Sequence, residues 1–272
     1  MSTTSTTTPL PTLFLSHGAP LFALEPGSTG PALTAWGRQL RGSSPLRGVL
    51  MMSPHWMAHG PVVMSAARPQ TWHDFGGFPR PLYALQYPAP GDPALAERVR
   101  ALLGAAGVSS AADAQRPFDH GAWVPLMHLF PQADVPLVQI ALPAHAGPEE
   151  VLALGQALAP LREEGILIVG SGSMTHNLSE FFGGERQPAP YVLEFSRWVE
   201  QALATGDVDA LLDYRRRAPH AQRAHPSEDH FLPLFFALGA AGRSSRPDYL
   251  SREVMYGILS MDSFSLQEPA HA

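Results

Sequence analysis

The chain has 272 residues, 45% hydrophobic and only 15% charged, the balance of a folded globular protein long enough for one large α/β domain. A net charge of −6 and a pI near 6.0 argue against binding to a nucleic-acid backbone, and Arg215, Arg216 and Arg217 read as a solvated helix face. Cysteine and lysine are both absent, which excludes disulfides, thiolate nucleophiles, cysteine–metal sites, Schiff-base lysines and the P-loop lysine.

What remains for metal ligation and proton transfer is carboxylate and 12 histidines. In chain order, residues 1–11 open Ser/Thr-rich and read as a mobile N-terminal segment. The apolar run that follows is only a strand long and lacks a basic leader, so no signal peptide is expected. No stretch approaches the ~20 apolar residues of a membrane span. The expectation is a cytoplasmic protein without membrane or nucleic-acid partners.

"TLFLS" (12–16), "GVLMMS" (48–53), "PLVQIAL" (136–142) and "ILIVGS" (166–171) carry no internal charge and predict strands buried on both faces. Helical patterns cover 92–107, where Asp92 caps and Pro93 opens the first turn, then 147–165 and 192–206. Strands alternating with helices predict a three-layer α/β/α domain with a largely parallel or mixed central sheet. The region 54–93 interleaves Trp56, Trp72 and Phe75 with His, Gly and Pro, and reads as a functional loop whose aromatics cover a bound ring. Pro226, followed by Ser227, Glu228 and Asp229, predicts a helix start; on such a helix His225 and His230 cannot face one metal together. Residues 267–272 read as a mobile tail. No repeat or composition break divides 12–266, which is read as one domain.

The histidines carry the chemistry. His17, His55 and His176 each follow a predicted strand, and parallel strands bring such loops to one sheet edge, where α/β proteins bind ligands. In "GSGSMTHN" the spacing fails the G-x-S-x-G of a nucleophile elbow, and no lysine supports a phosphate nest. The stretch therefore reads as a loop presenting His176. Gly170 and Gly172 would give it backbone freedom and close approach, and Ser171, Ser173 or Thr175 would orient the ring. His120, between Asp119 and Gly121, is a further candidate. The remaining histidines read as surface or packing residues.

"SHGAP", "SPHW", "FDHGAWVPL", "GSGSMTHNL", "HPSEDHFLPL" and "SMDSFSL" occur in the order found in class III extradiol ring-cleaving dioxygenases. The chain resembles the branch related to DOPA 4,5-dioxygenase and the LigB-like proteins, from about Thr12 to Leu266. The resemblance implies a LigB-like catalytic domain over 12–266 with Fe(II) in the active form, Zn(II) being the ion a crystal can show. By motif it implies His17, His55 and His230 as metal ligands, His176 as the acid/base and His120 as a pocket histidine acting on substrate or oxygen. The matching ligand is His230 where LigB-type enzymes supply a glutamate. His225, Trp56 and Ser173 are candidates for substrate contact. The implied reaction opens the ring of a small catechol, DOPA- or caffeate-like, with O2 to a muconic semialdehyde, in a monomer or small homo-oligomer. Two other readings fit the same histidines: a zinc-dependent hydrolase and a non-catalytic Memo-like binding protein.

Overall fold

In the computed structural model, which describes residues 9–183 and 187–269, the four apolar runs lie side by side in one eight-stranded sheet. The strands are β1 (Thr12–Ser16), β2 (Gly48–Ala58), β3 (Val62–Met64), β4 (Ala111–Asp113), β5 (Leu137–Pro143), β6 (Ile166–Gly172), β7 (Arg246–Ser251), β8 (Val254–Met255), β9 (Leu259–Ser260) and β10 (Ser263–Gln267). The order is β4-β3-β5-β2-β6-β1-β10-β7, with β8 and β9 pairing separately. β5, β2, β6 and β1 are parallel; β10 and β7 add antiparallel on one side, and β3 pairs antiparallel with β5 on the other. The sheet is thus mixed, as expected.

Alternate residues of the central strands enter two cores, which is why their sequences do not alternate in polarity. Leu13, Leu15, Met51 and Val169 pack with Leu33 and Leu40 of the helix Thr29–Ser43 and with Trp123 and Leu126 of the helix His120–Leu129. Phe14, Leu50, Ile140 and Ile168 pack with Val99 of Pro93–Ala105, Val151 of Pro148–Leu158, Phe195 of Pro190–Thr205 and Phe235 of Pro233–Ala241. Each such side chain contributes about 1.5–3 kcal/mol when fully buried. The capping signals act as read: Asp92 Oδ1 accepts from Leu95 N at 2.9 Å.

Four expectations need correction. β2 does not stop at Ser53 but runs to Ala58, because a bulge between Ser53 and Met57 lets it resume pairing with β5. His55 therefore sits inside the bulge of a strand. The helix begun at Pro148 ends at Leu158, and a 3-10 turn, Ala159–Arg162, follows where Pro160 cannot donate a helical hydrogen bond. Pro226 opens turns only, and the helix starts at Pro233: the His230 carbonyl accepts from Ser173 N at 2.8 Å, which draws it away from helical pairing. At the chain ends, Leu10 is buried and bonded through both N and O to Arg162, so residues 9–11 belong to the body. Gln267 pairs with Arg246 in the sheet. Residues 1–8 and 270–272, also read as mobile, lie outside the described residues.

Candidate metal centre and active site

Parallel β1, β2 and β6 end at the same sheet edge, and five imidazoles gather there. His17 follows β1 directly, its N–H donating to the Gly172 carbonyl at 3.0 Å. His55 is carried over it by the β2 bulge, Nε2 to Nε2 3.1 Å. His120 opens the helix His120–Leu129 beside them, its ring 3.9 Å from that of His55 between centroids. His230 lies 5.4 Å from His17 and 5.1 Å from His55, and His176 stacks on it at 3.5 Å. One nitrogen each of His17, His55 and His120 falls within a 4.8 Å span.

Two glycines make this convergence feasible. A Cβ on Gly170 would sit 1.9 Å from the Pro233 carbonyl oxygen, and one on Gly172 would sit 2.2 Å from that of His230. Their role is close approach; neither adopts the positive φ that would demand glycine's conformational freedom.

The tautomers follow from the partners. Ser171 Oγ spends its hydrogen on the Gly121 carbonyl, so at 3.0 Å it accepts from His17 Nδ1–H. Asp229 Oδ2 accepts from His230 Nδ1–H at 2.6 Å, and Asp74 Oδ1 accepts from both the backbone N–H and Nδ1–H of His120 at 2.9 and 3.0 Å. All three rings therefore keep an Nε2 lone pair. That of His230 is buried and has no partner among the described residues.

Burial favours the neutral form of His17, His55, His176 and His230. It pushes His17 and His230 well below the ordinary imidazole range, helped for His17 by the neighbouring rings. His55 is lowered to about 4 by burial and by His120, and His176 to about 4 chiefly by burial. Burial alone would raise Asp229, but its bond to His230 outweighs this and holds the carboxyl below its usual range. Neutral imidazoles with Nδ1 fixed by a hydroxyl or carboxylate are the donor set of a divalent transition-metal site, and the unpartnered His230 Nε2 fits such an ion.

The rings open into a cavity of about 390 Å³ whose described lining adds Gly18, Ala19, Pro20, Phe75, Gly76, Phe78, Leu178, Phe181 and Leu259. Of the residues picked out for substrate contact, none lines it. His225 is fully buried, its Nε2 bonded to the Met174 carbonyl at 2.9 Å. Ser173 Oγ donates to the Thr175 carbonyl. Trp56 and Trp72 clasp the Arg116 guanidinium from 4.8 and 5.0 Å, so of the three aromatics named in that loop Phe75 reaches the cavity, together with Phe78. Nor do the loop hydroxyls orient His176: Thr175 Oγ1 donates to the Ile258 carbonyl, and Ser171 serves His17. Asp74 escaped the sequence reading, its only signal being a carboxylate between His73 and Phe75 in the irregular region.

Residues 11–260 match the family described as "Catalytic LigB subunit of aromatic ring-opening dioxygenase". The chain is 39% identical over 255 residues to a 4,5-DOPA dioxygenase extradiol of Beta vulgaris, covering 93% of this chain and 95% of that one. A protein of the same name in Escherichia coli K12 is 36% identical over 237 residues, covering 86% of each. The crystal structure of an uncharacterized Escherichia coli K12 protein superposes with a TM-score of 0.78 at 29% identity, over 94% of this chain and 99% of that one. The chain belongs to the LigB family of aromatic ring-opening dioxygenases and is an extradiol ring-cleaving enzyme of that family.

Proposed function

We propose that His17, His55 and His230 hold an Fe(II) ion, with Zn(II) able to take its place, and that the site cleaves a small catechol beside one of its hydroxyls. The observation that supports this reading is the buried, unpartnered Nε2 of His230, whose ring lies 5.4 Å from that of His17 and 5.1 Å from that of His55, with Asp229 fixing its other nitrogen. The ion, when bound, supplies the site for catecholate and O2 and the path for electrons between them. The protein's own residues orient the ring and move its protons.

His176 is neutral at pH 7 and accepts a catechol hydroxyl proton as substrate binds, returning it to the product. His120 stands across the cluster with Nδ1 pinned by Asp74, so its Nε2 meets substrate or oxygen. Phe75 and Phe78 bound the space for the ring. Both oxygen atoms of O2 enter the product, a muconic semialdehyde, so no external reductant is needed.

The family assignment favours this reading over a hydrolase or a non-catalytic binding protein. Asp74 and Asp229 are both engaged by imidazoles, so neither is a free carboxylate base of the kind a zinc hydrolase would use. The proposal extends to a cytoplasmic monomer or small homo-oligomer with catechol and O2 as its partners. No helix among the described residues is long and apolar enough to cross a membrane. Anaerobic loading with Fe(II), then O2 uptake and a yellow product from a catechol panel, tests the reading; hydrolysis without O2 uptake would overturn it.

A further inference from the structure

We infer that Asp119 is a positioning residue that fixes His55 at the metal centre through Ser53 and Arg116, an inference that rests on the ligand assignment proposed above. Of the three proposed ligands, His17 and His230 have Nδ1 held by a hydrogen bond, from Ser171 and Asp229 respectively. Nδ1 of His55 instead lies 4.0 Å from Asp74 Oδ2, beyond hydrogen-bond reach. Strand pairing does not hold His55 either. β2 pairs Ser53 with Ala141 and resumes at Met57 with Leu142, so the bulge leaves His55 without an opposite residue on β5.

Both polar groups of the His55 backbone lead instead to one carboxylate. Its N–H donates to Ser53 Oγ at 3.3 Å, and that hydroxyl donates to Asp119 Oδ1 at 2.8 Å. Its carbonyl accepts from Arg116 Nη2 at 3.1 Å, and the same nitrogen donates to Asp119 Oδ2 at 3.0 Å. Gln139 Nε2 of β5 donates to Oδ2 as well, at 2.8 Å. Stacking between Trp56 and Trp72 restricts the guanidinium to this pose. Asp119 stands at the N-cap of the helix His120–Leu129, where aspartate commonly caps, yet its buried side chain makes no capping bond. The carboxylate serves the bulge rather than the helix. Gly121 admits the contact, since a Cβ there would lie 2.4 Å from Ser53 Oγ and 2.8 Å from His55 Cδ2.

Asp119→Asn keeps an acceptor for Ser53 but takes the charged partner from Arg116, while Ser53→Ala cuts the other arm alone. In metal-free, isotope-labelled full-length protein, the His55 amide should exchange about tenfold faster in each variant. Val49 to Met52, in the regular part of β2, should keep wild-type rates. Zinc affinity, read by chelator competition, should fall about tenfold or more in Asp119→Asn. That loss should vanish in a His55→Ala background, because it acts through His55. An unchanged His55 exchange rate, faster exchange along the whole of β2, or a zinc loss equal with and without His55 would each overturn the inference. Wild-type zinc affinity in His55→Ala would fail the ligand assignment, and the local exchange rate alone would then decide whether Asp119 holds His55. Should Asp119→Asn not fold, the same measurements on Ser53→Ala decide.

Discussion

The imidazoles of His176 and His230 lie face to face, centroids 3.5 Å apart and planes within 5° of parallel. Asp229 anchors the second ring through Nδ1, while the first is set by its backbone N–H on the Ala224 carbonyl. Two neutral rings stack at this distance readily, whereas two imidazolium rings would repel. Under the proposed function, the ring held by the carboxylate ligates the ion and the ring stacked on it transfers protons.

Replacing His176 by alanine should leave metal content unchanged and lower kcat by about 10²–10⁴-fold, the range for a lost acid/base group. His176→Phe keeps a flat ring against His230 and should lose as much activity. Metal analysis with single-turnover O2 uptake separates the two effects. Full activity in either variant would remove His176 from the proton-transfer role.

The ligand assignment divides the histidines. His17→Ala, His55→Ala and His230→Ala should each fall well short of one bound ion per chain after dialysis, whereas His120→Ala should retain it with impaired turnover. Asp229→Asn should weaken metal binding by about 10–100-fold through its hold on His230. Loss of the ion from His120→Ala with retention in His230→Ala would exchange their roles.

Gly172→Ala should destabilise the fold by about 1–3 kcal/mol, because its Cβ would meet the His230 carbonyl. The same displacement breaks the Ser173–His230 bond, so metal affinity should fall as well. Gly104, inside the helix Pro93–Ala105 with open space around it, is the control: Gly104→Ala should stabilise by up to about 1 kcal/mol. Denaturant titrations of both variants decide it.

Asp262 offers a pH signature away from the cluster. Burial raises its carboxyl to about 6, against the Ser260 hydroxyl and Arg252, which pull it down. The folded state thus holds a proton that the unfolded state releases near pH 4. The associated stability is complete below pH 4 and is lost as pH rises from about 4 to about 6, a difference on the order of 3 kcal/mol. Buried His225, lowered to about 3 by burial, works oppositely: its contribution is present above pH 6.5 and lost on acidification. The difference between wild type and Asp262→Asn isolates the first effect. A pH-independent difference between pH 4 and pH 7 would show that Asp262 ionises normally.

The middle of the sheet was legible because β1, β2, β5 and β6 are buried on both faces and so read as unbroken apolar runs. His17, His55 and His176 were legible for a related reason, since parallel pairing carries β1, β2 and β6 to one sheet edge. β10, "SFSLQ", escaped because serines occupy buried positions there, and Ser263 Oγ accepts from distant Ser16 N while donating to the Met261 carbonyl two residues away. The bulge at His55 and the turn at His230 escaped for the same physical cause. Each depends on a hydrogen bond or pairing to a remote segment, and no local propensity encodes it. The hold of Asp74 on His120 joins two segments that only the folded chain brings together.

The imidazoles reach their meeting point from stretches as far apart in sequence as His17 and His230, so no fragment of the chain carries the site. Binding an ion there is then linked to folding of the entire sheet, because the unfolded chain offers no assembled donor set. An ion at a hundredfold excess over its Kd would add about 2.7 kcal/mol to unfolding stability. Supply of the metal ion thereby becomes a determinant of how long the protein survives as well as of how fast it turns over.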